Sequence, residues 1–400
     1  MLNNFILDMR EVPKELILIL NLLKNDDEGY AQKYLKEEYN NIDWKLFLEL
    51  TIHHRFYPLL ASKLQSFDNR FIPQFVVQTV SGLYRKNVFK MLQLSGEMEQ
   101  LAQLFKTNCI KTIFLKGPIL GIEIYGDVSL RTCGDLDLLI PIEDLDIMDK
   151  LLEENGYEKD PYIQSVLEDW KWRHHHFTYY NSLKNIKVEI HWRLNPGPGK
   201  EPNFNELWER KRESLSSKSP IYFLGREDLF LFLVSHGARH GWSRLRWLMD
   251  IHRMIGQEID WKEIDSLVKK YYNFHIVGQS IILSSQLLNA KVTKEMQRFI
   301  TDNRSKSLAQ KAIFYLENMV NLHTYPVPKD VSLYHGRHLY SLMSYRQKIL
   351  FLLSHLYPYH IDTVTLPLPK KLHFLYFILR PFLCFWRKVR KQDLSLEEQK

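Results

Sequence analysis

A pair of aspartates closes an apolar segment in the chain, and this pair constrains the fold more than any other feature. The segment ends in Asp135-Leu136-Asp137-Leu138-Leu139-Ile140. Because successive side chains of a strand point to opposite faces, Asp135 and Asp137 share one face and the intervening leucines share the other. Adjacent carboxylates repel each other and are costly to desolvate, whereas a divalent cation between them offsets both effects. The pattern therefore predicts a strand that holds a metal ion.

A strand-to-helix corner precedes the aspartates. The apolar run Ile113-Phe114-Leu115 leads into Lys116-Gly117-Pro118. Proline is tolerated in the first turn of a helix, because a backbone N–H at that position makes no hydrogen bond within the helix. The free backbone amides and the positive end of such a helix favour a phosphate group. Lys116 and Gly117 are therefore candidate phosphate-binding residues, and a simple strand-to-helix turn is the structural alternative.

A third carboxylate lies in a second alternating segment. Residues 186–192 read Ile-Lys-Val-Glu-Ile-His-Trp, a β-branched alternating run that predicts a strand. Lys187, Glu189 and His191 share one face of this strand. Glu189 is a candidate metal ligand, or a base that accepts the hydroxyl proton of an acceptor. An ion pair with Lys187 is the structural alternative.

Taken together, these motifs resemble the nucleotidyltransferases of the polymerase-beta-like superfamily, most closely a bacterial group of mostly unassigned substrate. In that group a Lys-Gly pair stands where the superfamily usually has Gly-Ser, followed by a Tyr, an Arg, an Asp-x-Asp and a Glu-x-His-Trp. The resemblance covers roughly residues 40 to 290. The matching residues here are Lys116-Gly117, Tyr125, Arg131, Asp135, Asp137, Glu189, His191 and Trp192, with Asp43-Trp44, His53-His54-Arg55 and residues 236–250 in the flanking helices.

The resemblance implies a Mg²⁺-dependent enzyme that transfers a nucleoside monophosphate from an NTP, such as ATP, to a small-molecule or peptide acceptor and releases pyrophosphate. Two Mg²⁺ ions about 4 Å apart can hold the attacking and leaving oxygens in line. The implied catalytic and metal-binding residues are Asp135, Asp137 and Glu189, and the implied nucleotide-binding residues are Lys116, Gly117, Arg131 and His191.

Two of these residues have structural alternatives. Arg131 precedes Asp135 by four positions and reaches a phosphate in one interpretation, or pairs with Asp127 or Glu123 in the other. His191 faces the nucleotide or the acceptor in one interpretation, and in the other is a buried histidine whose hydrogen bonds are satisfied beside Trp192.

Other polar residues favour structural roles. His236 and His240 have the i, i+4 spacing of a zinc site, but no third ligand is obvious nearby. Successive residues of a strand cannot all face one ion, so of residues 174–176, His-His-His, only His176 is a functional candidate. Asp250 is most simply a buried hydrogen-bond anchor between helices.

The alternation of segments predicts an α+β protein with a small mixed β-sheet flanked by helical regions. Residues 1–105 form an N-terminal helical region and residues 106–195 the nucleotidyltransferase core. Residues 196–365 form a C-terminal helical domain, whose last predicted helix spans residues 339–356. Residues 366–400 are a basic aromatic tail. A composition of 45% apolar and 25% charged residues supports a globular chain with an ample core.

The net charge and the cysteines limit which partners and which cellular compartment the sequence favours. The net charge of +7 permits anionic partners and singles out none. A tRNA-directed nucleotidyltransferase and a catalytically silent nucleotide-binding scaffold are therefore alternatives. The three cysteines are widely spaced without a CxxC motif, which favours a reducing cytoplasm. The sequence contains no run of about 18 apolar residues that would span a membrane.

Residues 370–391 combine basic clusters with apolar aromatics. Lys370-Lys371 stand before the apolar stretch and residues 387–391, Arg-Lys-Val-Arg-Lys, stand after it, while Pro381 interrupts it. Aromatic and basic residues suit an anionic headgroup layer, so a membrane-peripheral position is one interpretation. A helix packed on the globular body or on a protein partner is the other.

Overall fold

A computed structural model describes residues 5–24, 41–66, 72–214, 220–324 and 326–389 of the chain. It confirms the predicted α+β class, since a mixed sheet lies between helical regions on both sides. Within the described ranges no helix has the length and apolar character required to cross a bilayer.

The sheet has seven strands among the described residues, in the order β3-β4-β5-β2-β1-β7-β6. Strand β2 lies at the centre, parallel to β5 and antiparallel to β1. The predicted hairpin is confirmed, because β4 and β5 pair antiparallel. The strands are β1 (Ile113–Phe114), β2 (Asp135–Leu139), β3 (Glu158–Lys159), β4 (His176–Asn181), β5 (Ile186–His191), β6 (Arg212–Glu213) and β7 (Tyr222–Phe223).

Helices surround this sheet along the whole chain. Those before the sheet are α1 (Lys14–Lys24), α2 (Trp44–His53), α3 (Tyr57–Gln65) and α4 (Gln74–Thr107). Those between its strands are α5 (Pro118–Tyr125), α6 (Leu145–Glu154), α7 (Trp170–Arg173) and α8 (Phe204–Glu209). Those after it are α9 (Arg226–Arg239), α10 (Arg246–Ile255), α11 (Trp261–Tyr271), α12 (Phe274–Leu288), α13 (Gln297–Thr301), α14 (Asn303–Glu317), α15 (Lys329–Leu342), α16 (Tyr345–Ser354), α17 (His360–Thr365) and α18 (Tyr376–Val389).

One buried apolar cluster joins the helices to the sheet. It extends from Leu7 near the N-terminus to Leu316 at the end of α14. The leucines of the central strand belong to it, and Leu136 and Leu138 are fully buried. Their alternation therefore holds the aspartates of β2 on the opposite face, toward the site.

The predicted helix over residues 339–356 is interrupted in the structure. Helix α15 ends at Leu342 and α16 begins at Tyr345. Between them Ser344 accepts a hydrogen bond from the backbone N–H of Gln347, and the Gln347 side chain accepts one from the N–H of Ser344. A serine followed three residues later by glutamine is a helix-start signature, and here it outweighs the continuous apolar periodicity.

Candidate active site

The register of the two central strands assembles the acidic residues. Across the parallel pair of β2 and β5, Asp135 lies opposite Lys187 and Asp137 lies opposite Glu189. Residues directly opposite each other in a sheet project from the same face. The ligand atoms of Asp137, Glu189 and His191 consequently lie within 4.8 Å of one another. Asp137 and Glu189 therefore meet across the two strands as predicted, whereas Asp135 does not belong to this group.

Asp137 is the most enclosed of these acids, with 0% of its surface exposed. Its Oδ1 atom lies 2.9 Å from Lys116 Nζ and 3.2 Å from His191 Nε2. Its Oδ2 atom has no hydrogen-bond partner among the described residues. A buried carboxylate oxygen left unpaired is costly, so the site fits a divalent cation, whose preferred ligands include carboxylate oxygens.

The electrostatics keep both central acids ionised. Burial alone would raise the pKa of Asp137, but the charge of Lys116 and the hydrogen bond from His191 outweigh it and lower that pKa. Burial likewise opposes ionisation of Glu189, yet its pKa is held well below the usual range by His191, His176 and Lys187. The two carboxylates in turn raise the pKa of His191 against the effect of burial. The ammonium groups of Lys116 and Lys187 thus balance these acids in the structure.

Lys187 connects the third acid to the cluster. Its ammonium lies 2.8 Å from Asp135 Oδ2 and 2.7 Å from Glu189 Oε1. The ion pair that the sequence offered as the alternative for Glu189 is therefore formed. Although burial would lower the pKa of Lys187, these two carboxylates raise it. Asp135 thus shares the face with Asp137 and Glu189, with an ammonium group bridging it to Glu189.

The Lys-Gly corner places its lysine directly against the acids. Gly117 has φ 110°, a region that suits glycine, and a Cβ there would lie 3.2 Å from Leu136 Cδ2. Helix α5 begins at Pro118, as predicted. Lys116 Nζ lies on Asp137 and 5.8 Å from the ring centroid of Phe232 in α9. The corner therefore brings one cation to the inner edge of the site.

Arg131 lies behind the corner, buried in an ion pair. Its Nε and Nη2 atoms donate to the two oxygens of Asp250 at 3.1 Å each. Tyr125 also donates its hydroxyl to Asp250 Oδ1 at 2.8 Å. The structural partner suggested by sequence, Asp127 or Glu123, is thus wrong, because a carboxylate from the distant helix α10 takes that place. Three residues singled out separately in the sequence form one buried polar group.

The adjacent histidines do share a site, in contrast to the prediction. Ring nitrogens of His175, His176 and His191 lie within 4.8 Å of one another. Strand β4 begins only at His176, so the strict alternation of a strand does not apply to His175. Burial is the largest cause that lowers the pKa of both histidines, and repulsion from His191 is the second. The pKa of His176 falls to about 4, and that of His175 falls well below its usual value. Both imidazoles are therefore neutral and have lone pairs to offer.

The zinc interpretation of α9 finds no support in the part of the chain that the structure describes. His236 and His240 have ring centroids 4.6 Å apart, but no group of three metal-ligating side chains includes either of them. Burial lowers the pKa of both well below the ordinary value, and both rings contact Trp247. They are packing residues beside the site.

Three arginines to which the sequence assigned no role form an arginine cluster, Arg55, Arg244 and Arg246, and Arg244 lies within the electrostatic influence of Asp135. The loop after α2 is fixed to the loop before α10, since His53 Nε2 lies 2.9 Å from the carbonyl oxygen of Ser243. This contact brings Arg55 toward Arg244 and Arg246. Burial and the charges of both neighbours lower the pKa of Arg244 to about 10, with Asp135 acting in the opposite direction.

These guanidinium groups are poorly compensated by the protein. Arg246 donates to the backbone oxygen of Thr132. Arg244 lies 5.9 Å from the ring of Trp247, and neither it nor Arg55 forms an ion pair with a described carboxylate. The sequence signal was present as Arg55 and Arg244-Leu245-Arg246, but only the tertiary contact brings them to one place.

A large cavity opens beside the acidic cluster. Its volume is about 1180 Å³, and its walls come from residues 160–174, the loop 193–202, helix α9 and helices α15 to α17. Phe232, which contacts Lys116, lines it, and so does Arg239. Residues 195–202 are therefore part of the cavity wall.

Arg239 is a cavity cation with a buried nitrogen and no ion pair among the described residues. Its Nη1 atom is buried and has no hydrogen-bond partner. Burial lowers its pKa to about 10, and the carboxylates of Glu201, Glu189 and Asp137 act against that effect. This guanidinium thus lies within the electrostatic influence of the acids on β2 and β5.

Comparison with known proteins gives a family and a structural neighbour. The sequence matches a family described as "Uncharacterised nucleotidyltransferase" over residues 40–289, in line with the predicted superfamily. No curated protein matches. A crystal structure of an antigenic nucleotidyltransferase-like protein from Paracoccidioides brasiliensis is similar at 16% identity and a TM-score of 0.30, covering 50% of this chain and 94% of that one. At that TM-score the family assignment depends on the sequence match alone.

Proposed function

Because the chain belongs to the uncharacterised nucleotidyltransferase family, we propose that it transfers a nucleoside monophosphate from an NTP to a small-molecule or peptide acceptor, releasing pyrophosphate. The observation that carries the proposal is the convergence of Asp137 and Glu189 across the central strands, with Asp137 Oδ2 left without a partner. Nucleotidyl transfer requires a site of this kind, because negative charge develops around the α-phosphate.

Asp135, Asp137 and Glu189 are the residues that would hold Mg²⁺. When bound, the metal supplies positive charge opposite the reacting phosphate. The ligand atoms of Glu189 and Asp137 lie within 4.8 Å of each other, which suits two ligands of one metal ion. Of the two roles that the sequence left open for Glu189, this geometry favours metal ligand over general base, and the lowered pKa of Glu189 agrees with it.

Cations at two edges of the site would bind the phosphates. Lys116 lies on Asp137, and its ammonium is free to turn to a phosphate once another cation balances that acid. Arg244 lies within the electrostatic influence of Asp135, with Arg55 and Arg246 beside it. Guanidinium groups bind phosphate oxygens in pairs of hydrogen bonds. Arg131, which is occupied by Asp250, supports the corner from behind and positions it.

Replacing Arg244 by glutamine is expected to weaken NTP binding by about tenfold or more, since a hydrogen bond to a charged group is worth ~1.5–3 kcal/mol. The measurement is isothermal titration with ATP, GTP, CTP and UTP in Mg²⁺. Arg337→Gln is the matched control, because Arg337 is an exposed arginine on α15 and its loss changes the net charge equally. If both variants weaken NTP binding equally, the loss reflects net charge and not a specific contact with the arginine cluster.

The function itself is tested with α-labelled and γ-labelled NTPs, Mg²⁺ and a metabolite and peptide extract of the source cells. The α-label is expected in a new acceptor product and the γ-label in pyrophosphate. Binding of Mg-NTP without pyrophosphate release for every NTP would identify a silent scaffold instead. Transfer of label only to tRNA, with binding that falls steeply as salt rises, would favour the tRNA-directed alternative.

A further inference from the structure

The cavity beside the acids has walls that suit an apolar body. Aromatic side chains contribute from four helices and two connecting segments, and the loop 193–202 closes one side. Ligand cavities of this kind are mostly apolar, with a few polar groups that fix orientation. The aromatic residues are Tyr162, Trp172, Phe232, Tyr271, Phe351 and Tyr359.

The other arginines of the cavity wall are already paired within the protein. Arg173 lies 2.7 Å from Asp169, and Arg193 lies 3.1 Å from Glu201. Arg239 forms neither an ion pair nor a hydrogen bond with a described residue, although its Nη1 atom is buried. Leaving a buried guanidinium nitrogen without a partner is unfavourable, so an anionic group of a ligand would remove the penalty.

We propose that this cavity is the acceptor site, and that it takes an amphipathic acceptor whose anionic group, a carboxylate or a phosphate, pairs with Arg239. The assignment of the ligand as acceptor rests on the proposed function. Arg239 and Phe232 line the cavity on its side toward Lys116 and the acids, so the anionic end of the acceptor faces the reacting centre. The apolar body extends between α9 and helices α15 to α17.

The test measures binding of three probes with one chain length and different heads: octanoate, octyl phosphate and octanol. Anionic probes are expected to bind the wild-type protein about tenfold more tightly than octanol, as for a charge-assisted hydrogen bond. Arg239→Gln is expected to remove this preference and leave octanol binding unchanged. Lys200→Gln is the matched control, because Lys200 is an exposed cation in the same cavity wall.

The outcomes separate the acceptor site from the proposed function. A preference for octanoate or for octyl phosphate identifies the head group of the acceptor. Such a preference supports the anion site even when no pyrophosphate is released with any NTP. Equal binding of all three probes, or an unchanged preference in Arg239→Gln, overturns it. Displacement of octanoate by Mg-ATP in direct competition also overturns it, because Arg239 then belongs to the nucleotide.

A second, independent observation is an exposed apolar surface on α16 and α18, here called the C-terminal apolar surface. In α18 its residues recur at the spacing of one helix face, with Ile378 at 69%, Phe382 at 69% and Phe385 at 70% exposure. Apolar side chains that are exposed together on the surface of a folded protein usually mark an interaction site. Its members are Ile349, Leu352, Leu353, Leu356, Phe374, Ile378, Phe382, Phe385 and Trp386.

The orientation of α18 is held by polar contacts on its other side. Asp362, fully buried, accepts from Arg380 at 2.5 Å and from Arg387 at 2.9 Å. Tyr376 is also buried and donates its hydroxyl to the carbonyl oxygen of Leu366 at 2.7 Å. Because these contacts fix the inner face of the helix, its outward face presents the apolar side chains.

Basic residues border the C-terminal apolar surface. Lys370, Lys371 and Lys388 are exposed, and the sequence continues with Arg390 and Lys391, which lie outside the described residues. Aromatic and aliphatic side chains beside lysines and arginines match an interface of acyl chains and anionic headgroups. We infer that this surface binds an anionic lipid bilayer peripherally.

The test is co-sedimentation of the full chain with phosphatidylcholine vesicles that contain or lack phosphatidylserine. Binding is expected only with phosphatidylserine and is expected to fall about tenfold or more in a variant with Phe382→Glu and Phe385→Glu. A variant with Phe89→Glu and Leu183→Glu, two exposed apolar residues elsewhere, is the control. Absence of vesicle binding, or light scattering that shows a dimer broken by the α18 substitutions, overturns the inference.

Discussion

Asp137→Asn is expected to lower nucleotidyl transfer by about a thousandfold, because one carboxylate of a charge-stabilising site becomes neutral. Asparagine keeps the size of the side chain, so the loss reports charge and not packing. Asp137 Oδ2 is the oxygen without a partner in the described structure, and its position opposite Glu189 makes it the centre of the cluster. The rate is measured as pyrophosphate release in the labelled-NTP assay.

The fold is expected to survive this substitution. Removing the charge of Asp137 relieves its repulsion of Glu189, while Lys116, partly exposed, can turn away from its lost partner. Circular dichroism and the melting temperature should therefore resemble the wild type. Glu158→Gln, an exposed acid on the edge strand β3 of the same sheet, is the control and should keep full activity. Transfer at near the wild-type rate in Asp137→Asn would contradict the assigned site.

Asp250→Asn is expected to reduce the free energy of unfolding by about 3–5 kcal/mol, the effect of leaving a buried charge without its partner. Arg131 has 3% of its surface exposed and Asp250 has 0%, so water does not replace the missing carboxylate. Urea unfolding followed by tryptophan fluorescence measures the change. Tyr125→Phe removes one hydrogen bond from the same group and should cost only about 1 kcal/mol.

A double replacement distinguishes a structural role of the Arg131–Asp250 pair from a role of Arg131 in nucleotide binding. Arg131→Met combined with Asp250→Leu removes both charges, and its loss of stability should be smaller than the sum of the two single losses. NTP binding by the double variant should weaken less than in Arg244→Gln. If Asp250→Asn leaves stability unchanged while Arg131→Met abolishes NTP binding, Arg131 contacts the nucleotide after all.

The strands, the corner and the main helices around the site could be predicted because each is encoded by neighbours in the chain. Alternating leucines place Asp135 and Asp137 on one face, and the hairpin follows from the β-branched run that contains Glu189. Those local rules also predicted that the acids of two strands would meet. They failed for His175, which precedes its strand, and at Ser344, where a capping signature interrupted a helix.

The sequence by itself determined the α+β class and the acids of the candidate active site, since side-chain alternation is a property of a single segment. Only the tertiary structure decided how the charges are paired. Arg131 pairs with a carboxylate 119 positions away, and the contact of His53 with Ser243 that gathers the arginine cluster spans 190 positions. No periodicity within a segment reports such distances, because they depend on how the helices pack around the sheet.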